Sequence, residues 1–333
     1  VPTIRDVAKE AGVSSMTVSR VINNSGYVSD KTKARIEAVI EELGYVPNML
    51  GQSLRLKQTH TLALVITDIT NPFWTTVARG VEDAAQENGY SVILCNTDES
   101  AEKQDQYITM LLKRRIDGIL LVPTRNSAED VQRIQKQGIK VVVLDRQLPD
   151  AQVDVVRGDS ISGAYQLTQH LLAKGHRQIA MLAGPQNVST STERVDGYRQ
   201  ALREVGLENE AIVHWGRFSR ASGYAMAQKV LTTTPRPTAL FAANNFIAVG
   251  AYQAVRGATL HIPDDISLVS FGDLPPTLVL EPFLTVADHS SYDMGYQAGK
   301  LLIARLVNGD SAELQEIILP AELKIRSSTR AIE

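Results

Sequence analysis

The chain has 333 residues, a formal net charge of −3, 44% apolar residues and a single cysteine. That length allows a small head and two further lobes, since single domains run to about 100–150 residues. The charge excludes a generally basic nucleic-acid binder, one cysteine excludes internal disulfides, and no apolar run reaches membrane-spanning length. With no signal segment before the first helical pattern, the expectation is a cytoplasmic protein without cofactor, metal or membrane partner.

Residues 3–23 predict two short helices joined by a tight turn. Thr3 and Asp6 have capping-box spacing, and Ile4, Val7, Ala8 and Ala11 form one apolar stripe. Gly12 suits a break with positive φ, and Ser14 is placed to cap the second helix. In that helix Val18, Val21 and Ile22 face inward, while Ser15, Met16, Thr17 and Arg20 face outward. Small polar groups with one arginine suit base edges in a major groove, although a plain amphipathic hairpin has the same spacing. Ser29 is placed to cap a third helix with Ile36, Val39, Ile40 and Leu43 inside, ended by Gly44. Residues 45–59 then form a polar joint with room for a two-turn helix, marginal unless DNA or a partner copy supports it. Residues 1–60 carry eight Lys or Arg against six Asp or Glu, so the head is at +2 and the remainder at −5.

The Ala-Gly-Val-Ser…Thr-Val-Ser-Arg run at 11–20, Gly-Tyr-Val-Pro-Asn at 44–48, and the pattern that follows resemble the lactose/galactose repressor family over essentially the whole chain. The resemblance implies that the outward residues opening the second helix read bases. It implies a hinge helix that folds on DNA, with Leu54 as a minor-groove wedge whose kinking costs about a few kcal/mol, recovered through added contacts. A buried linker leucine is the alternative. The candidate DNA-binding set is Thr3, Ser14, Ser15, Met16, Thr17, Arg20, Asn23, Tyr27, Ser29 and Leu54.

From residue 60 the pattern becomes strand–helix alternation. Apolar runs at 62–66, 91–95, 118–122 and 141–144 read as buried parallel strands, separated by helical stretches near 73–88, 101–115 and 127–137. A second series starts at 179–183 and continues at 239–242 and 266–270. Two βα series imply two doubly wound lobes, with ligands beyond the carboxyl ends of the strands. Cys95, in the 91–95 run, is expected as a packed thiol. The expected fold is therefore an all-α helix-turn-helix head plus an α/β core of two Rossmann-like lobes. The resemblance makes that core similar to type I periplasmic binding proteins and places crossovers near 157, 289 and 319. Expected boundaries are 1–45 for the head, 46–59 for the hinge and 60–333 for the core. Within the core, the N-lobe takes 60–157 and 289–318, and the C-lobe 158–288 and 319–333.

Strand ends carry the chemistry. Asn71-Pro-Phe73-Trp74 follows the first strand; its aromatic pair suits stacking on a sugar face, or core packing. Asp145-Arg146 follows the fourth and offers acceptors beside a guanidinium fork, or a mutual ion pair. These segments, with Glu193-Arg194-Val-Asp-Gly197-Tyr and Phe218-Ser-Arg-Ala-Ser-Gly223, resemble the ribose-binding branch of the sugar-binding relatives. The resemblance implies a polar role for Asn71, stacking by Phe73, Trp74 and Phe218, a hydroxyl clamp from Asp145 and Arg146, a second fork from Arg194, and a contact from Asn244. Asn245 stands where the family usually has aspartate. Gly272 stands where a ligand-binding aspartate is expected, leaving Asp273 one step on, and His289 aligns with a cleft glutamine at a crossover.

An enzyme is not expected. Residues 158–163 lack nucleophile-elbow spacing, His170 and His176 have no evident acid partner, and no phosphate loop or metal-spaced cluster appears. A free-standing sugar receptor would carry an export signal and no head. The mechanism implied by the resemblance is coupling. A homodimer, expected because the chain ends soon after its last strand, sets two heads on a near-palindromic operator. A monosaccharide closes the lobes, moves the hinge helices and relieves repression. A purine corepressor or a protein effector is the alternative.

Overall fold

The computed structural model describes residues 2–46, 58–274, 282–309 and 313–332. It divides into two compact units, Val1–Thr59 and His60–Glu333.

The first unit holds α1 (Ile4–Glu10), α2 (Ser15–Ile22) and α3 (Asp30–Leu43). Val7, Ala8 and Ala11 from α1 and its cap, Val18 and Val21 from α2, and Ile36 and Val39 from α3 are buried together. Ile4, Ile22, Ile40 and Leu43 pack around them half-buried. Gly12 has φ +61°, which lets α1 stop and the chain turn into α2 within a few residues. The expected capping box links Thr3 and Asp6: the Thr3 amide donates to the Asp6 carboxylate at 2.8 Å, and the Thr3 hydroxyl donates to the same carboxylate at 2.7 Å. The expected hinge helix and Leu54 lie outside the described residues.

The second unit contains two six-stranded sheets. The first is ordered β11-β5-β4-β3-β1-β2, with β1 Thr61–Ile66, β2 Ser91–Asn96, β3 Gly118–Leu121, β4 Lys140–Leu144, β5 Asp154–Gly158 and β11 Glu316–Leu319. The second is ordered β12-β10-β9-β8-β6-β7, with β6 Ile179–Ala183, β7 Ile212–Trp215, β8 Ala239–Ala242, β9 Ser267–Phe271, β10 Thr285–Asp288 and β12 Glu322–Lys324. Neighbouring strands run parallel, except that β12 is antiparallel to β10. The helices α4 (Pro72–Gln86), α5 (Ala101–Arg114), α6 (Glu129–Gln135), α7 (Ser160–Ala173), α8 (Ser189–Glu204), α9 (Arg220–Leu231), α10 (Asn245–Gly257) and α11 (Ser291–Asn308) connect them. The chain leaves the first sheet after β5, returns after β10 through α11 to β11, and leaves again to β12.

The returning helix is fixed by sterics and charge. α11 lies so close to α4 that a Cβ on Gly80 would sit 2.2 Å from the Tyr292 carbonyl oxygen. Arg305 of α11 donates to both oxygens of the buried Asp154 on β5, at 2.8 and 2.7 Å. The 91–95 run is not a strand buried on both faces. β2 is the edge of its sheet, paired only with β1, and leaves Leu94 exposed and Val92 and Ile93 half-buried. Cys95 itself is buried, and burial pushes its thiol up to about 11.

Candidate functional site

In the head, the outward face of α2 is polar apart from one methionine. Met16 is 65% exposed, Arg20 is exposed, and Ser15 and Thr17 are half-exposed. Tyr27, in the following loop, is 89% exposed. Four other candidates turn their side chains to local bonds. Ser14 accepts from the Thr17 amide at 3.2 Å, Asn23 donates to the Ser19 carbonyl at 2.7 Å, Ser29 pairs with the Thr32 hydroxyl at 2.9 Å, and Thr3 donates to Asp6. A hydroxyl or amide engaged in a local bond has reduced capacity for a phosphate. Ser29, expected to cap α3, makes no side-chain bond to the helix backbone. The Thr17 hydroxyl is paired with Ser14 at 2.9 Å, so Met16 and Arg20 are the most exposed side chains of this face.

In the second unit, a cavity of about 790 Å³ lies where the carboxyl ends of the two sheets meet. Asn71, Phe73, Trp74, Asp145, Arg146, Arg194, Phe218, Asn244, Asp273 and His289 all line it. Their positions follow from strand ends and helix starts. Asn71 caps α4, accepting from the Phe73 amide at 3.1 Å, with Pro72 at the first helical position. This cap aims Phe73 and Trp74, whose rings meet edge to face at 4.8 Å. Asn244 caps α10 through its Oδ1, which accepts from the Ile247 amide at 2.8 Å. That cap leaves its NH2 group without a hydrogen-bond partner among the described residues.

Asp145 and Arg146, adjacent in sequence, do not pair with each other. Asp145 has φ +62°, a sparsely populated backbone state for a residue with a Cβ, at the end of β4. Arg146 instead donates to both oxygens of Glu99 at 2.9 and 2.5 Å and to the Pro123 carbonyl at 2.7 Å. Glu99, on the loop after β2, is a cavity residue that sequence reasoning missed; nothing in the segment 97–100 marks it locally. Arg194, buried on α8, donates to the Ala243 carbonyl at 2.8 Å and lays its guanidinium 3.9 Å above the Phe271 ring centre. Burial pushes Arg194 down to about 10, while Asp145 and Glu193 oppose that shift. The Nε atoms of Arg146 and Arg194 are buried without a partner.

His289 is 4% exposed and sits between Phe73 and Phe271, at ring-centre distances of 5.5 and 6.0 Å. Both of its ring nitrogens are buried without a partner. Burial lowers its proton affinity, Asp145 partly restores it, and Arg194 lowers it further, so the ring is neutral at pH 7 and offers one donor and one acceptor. Phe218 lines the opposite wall, where Gly184 makes room; a Cβ there would lie 2.3 Å from the Phe218 ring.

Asp273 reaches the cavity because Gly272 turns the chain at φ +79°. Its carboxylate is not free as an isolated cleft acceptor. Arg326, beyond β12, donates to both its oxygens at 2.9 and 2.5 Å. Asn245 also lines the cavity and forms two hydrogen bonds with Asn71, at 3.0 and 3.1 Å.

The cavity therefore combines aromatic faces with acceptors, guanidinium forks and one neutral imidazole. Hydroxyl-bearing rings have apolar C–H faces and polar edges, and this lining matches both. Among the described residues, no helix is long and apolar enough to cross a membrane.

Two family models match the chain. Residues 59–327 match periplasmic binding proteins and the sugar-binding domain of the LacI family, and residues 3–48 match the lacI family of bacterial regulatory proteins. The ribose operon repressor of Escherichia coli K12 is 37% identical over 308 residues, covering 91% of this chain and 93% of that protein. A crystal structure of a LacI-family transcriptional regulator from Enterococcus faecium with bound ribose is 30% identical, with a TM-score of 0.74 over 82% of this chain and all of that one. The structure of a lac repressor dimer bound to operator and an anti-inducer is 27% identical, with a TM-score of 0.86 over 99% of each chain. A helix-turn-helix head, a two-sheet core with a cavity between its sheets, and these matches over both parts agree: the chain belongs to the LacI family of bacterial transcription regulators.

Proposed function

We propose that the chain is a repressor of carbohydrate-utilisation genes that binds a near-palindromic operator as a homodimer and is released by a ribose-like pentose. The observation that carries the effector half is the convergence of Arg146, Arg194 and His289, each with a buried unpartnered nitrogen, and of Asp145 between the aromatic walls of Phe73, Trp74 and Phe218. A pentose has enough hydroxyls to satisfy the two Nε–H groups, the imidazole and the carboxylate, and a C–H face for the rings. The ribose-bound relative and the ribose operon repressor support that choice. The operator half rests on the exposed face of Met16, Thr17 and Arg20, and the dimer on the lac repressor dimer bound to operator. We place the protein in the cytoplasm, where operator DNA lies. By linkage, the factor by which DNA weakens sugar binding equals the factor by which sugar weakens DNA binding.

Titration with pentoses, hexoses, polyols and purines, followed by tryptophan fluorescence, tests this. Trp74 lines the cavity, whereas the only other tryptophan, Trp215, lies on β7 away from its lining. A saturable change with D-ribose, lost in Trp74→Phe and accompanied by release from operator DNA, is the expected result. A response to purines alone would move the cavity to a nucleobase corepressor. Silence to all of them would favour a protein effector.

A further inference from the structure

Asn71, the N-cap of α4, and Asn245, the first residue of α10, lie 174 residues apart at the start of a helix from each lobe, and their side-chain amides are joined twice. Asn71 Nδ2 donates to Asn245 Oδ1 at 3.1 Å, and Asn245 Nδ2 donates to Asn71 Oδ1 at 3.0 Å. Asn71 follows β1 of the first sheet, and Asn245 follows β8 of the second. Both side chains are buried.

Backbone amides fix which way each side chain points. The Phe73 amide donates to Asn71 Oδ1 at 3.1 Å, so that oxygen is held at the start of α4. The Phe246 amide donates to Asn245 Oδ1 at 2.8 Å and holds that oxygen at the start of α10. Turning either amide over would set an NH2 group against a backbone N–H, a buried donor facing a donor. Each oxygen thus accepts twice, and the pair closes a hydrogen-bonded ring between the lobes. Aspartate at position 245 would keep the bond from Phe246 but present its second oxygen to Asn71 Oδ1, acceptor against acceptor.

We propose that Asn71 and Asn245 are an inter-lobe clasp that favours the closed cavity without help from the effector, and that Asn71 is a positioning residue instead of a reader of the ligand. The clasp lowers the free energy of the closed arrangement, so a larger fraction of molecules is ready to hold the effector. Its consequence for affinity rests on the reading of the cavity as the sugar site; its effect on closure does not.

The test uses the full chain carrying spin labels at Thr75→Cys on α4 and Ala221→Cys on α9, both exposed positions beside cavity-lining segments. Cys95 is buried, with its thiol pushed up to about 11, and does not compete for label. Distances between labels are measured without ligand in the parent, Asn71→Ala, Asn245→Ala, the double alanine variant and Asn245→Asp, each checked for a cooperative thermal transition. The expected result is a shift to longer distances in every variant, with the double alanine variant no more open than either single one. An unchanged distribution in Asn245→Ala and Asn71→Ala would overturn the clasp, as would additive shifts. D-ribose is then titrated into each. Its Kd is expected to rise about five-fold in each alanine variant and by the same factor in the double variant. Because Asn71→Ala also removes the cap on α4, the readout is Asn71→Asp, which keeps that cap: a larger loss there than in Asn245→Asp would make Asn71 a ligand contact and overturn its positioning role. A parent that ignores D-ribose but opens when the clasp is cut would defeat the sugar assignment and leave the clasp standing.

Discussion

Arg146 is held by Glu99 across the cavity wall, not by its neighbour Asp145. The bidentate pair fixes the guanidinium plane and leaves Nε as its unpartnered donor. It also leaves the Asp145 carboxylate available to a hydroxyl. The two halves of the expected clamp are therefore independent.

Glu99→Ala is expected to weaken D-ribose binding about ten-fold, through loss of the partner that orients the guanidinium. Arg146→Ala should cost more, about 1.5–3 kcal/mol for a lost hydrogen bond to a charged group. The pair should behave as one unit, so that the double variant is no worse than Arg146→Ala alone. Calorimetric titration reads this directly. Unchanged affinity in Glu99→Ala would show that the guanidinium needs no orienting partner.

His289 depends on the absence of a side chain at position 158. A Cβ on Gly158 would lie 2.6 Å from Nδ1 and 2.7 Å from Cε1 of the imidazole, with Phe73 and Phe271 on either side. Gly158→Ala is expected to lower stability by about 1–3 kcal/mol through overpacking and to weaken effector binding together with it. Adding His289→Ala should restore most of the stability but not the binding. Thermal unfolding and titration of the three variants separate these effects, and additive stability losses would count against this contact.

Glu193 gives the core a pH dependence. It lies on α8 behind Arg194, 3.7 Å from Arg157 on β5, with one carboxylate oxygen lacking a hydrogen bond. Burial pushes its carboxyl up to about 7 from 4.5; Arg157 and Arg194 oppose this, while Asp145 and Asp159 reinforce it. Between those values the folded chain binds more protons than the unfolded one, so the contribution to stability is full below about 4.5 and declines as pH rises through 7. Glu193→Gln should remove that decline, matching the parent near pH 5 and exceeding it by about 1 kcal/mol at pH 8. Arg157 keeps Glu316 at 2.6 Å, so the variant does not strand its charge. Parallel unfolding curves for the two proteins across pH 5–8 would refute the assignment.

The parts of this molecule visible in the sequence are those written in local chemistry. Apolar runs such as 62–66 and 179–183 became central strands, since a strand buried on both faces must be apolar throughout. Residues that end strands or cap helices, such as Asn71 and Asn244, could be named because position in the βα unit dictates where they point. β5, β7 and β10 to β12 were not located, because they are short, half-polar or at sheet edges and lack the same apolar signature. Contacts between distant segments were equally hidden. Glu99 on Arg146, Arg326 on Asp273 and Asn245 on Asn71 join residues 47, 53 and 174 positions apart. No spacing rule encodes such pairs; they appear only once the sheets have brought their carboxyl ends together.

On the head, helix-setting and base-reading residues separate experimentally. Ser14 accepts from the Thr17 amide and faces the Thr17 hydroxyl, so its oxygen is engaged by the helix it starts. Ser14→Ala should destabilise the head by about 1 kcal/mol and weaken all DNA sequences alike. Arg20 and Met16 project from the exposed face of the same helix. Arg20→Ala should cost about 1–3 kcal/mol on the preferred operator and much less on random DNA, the signature of a bidentate base contact. Met16→Ala should alter which base is preferred at one half-site position while leaving head stability intact. Affinity measured on a set of single-base operator variants at fixed salt distinguishes these outcomes, since backbone contacts shift every sequence equally. An Arg20→Ala loss that is uniform across operator and random DNA would assign that side chain to phosphate and leave Met16 and Thr17 as the readers.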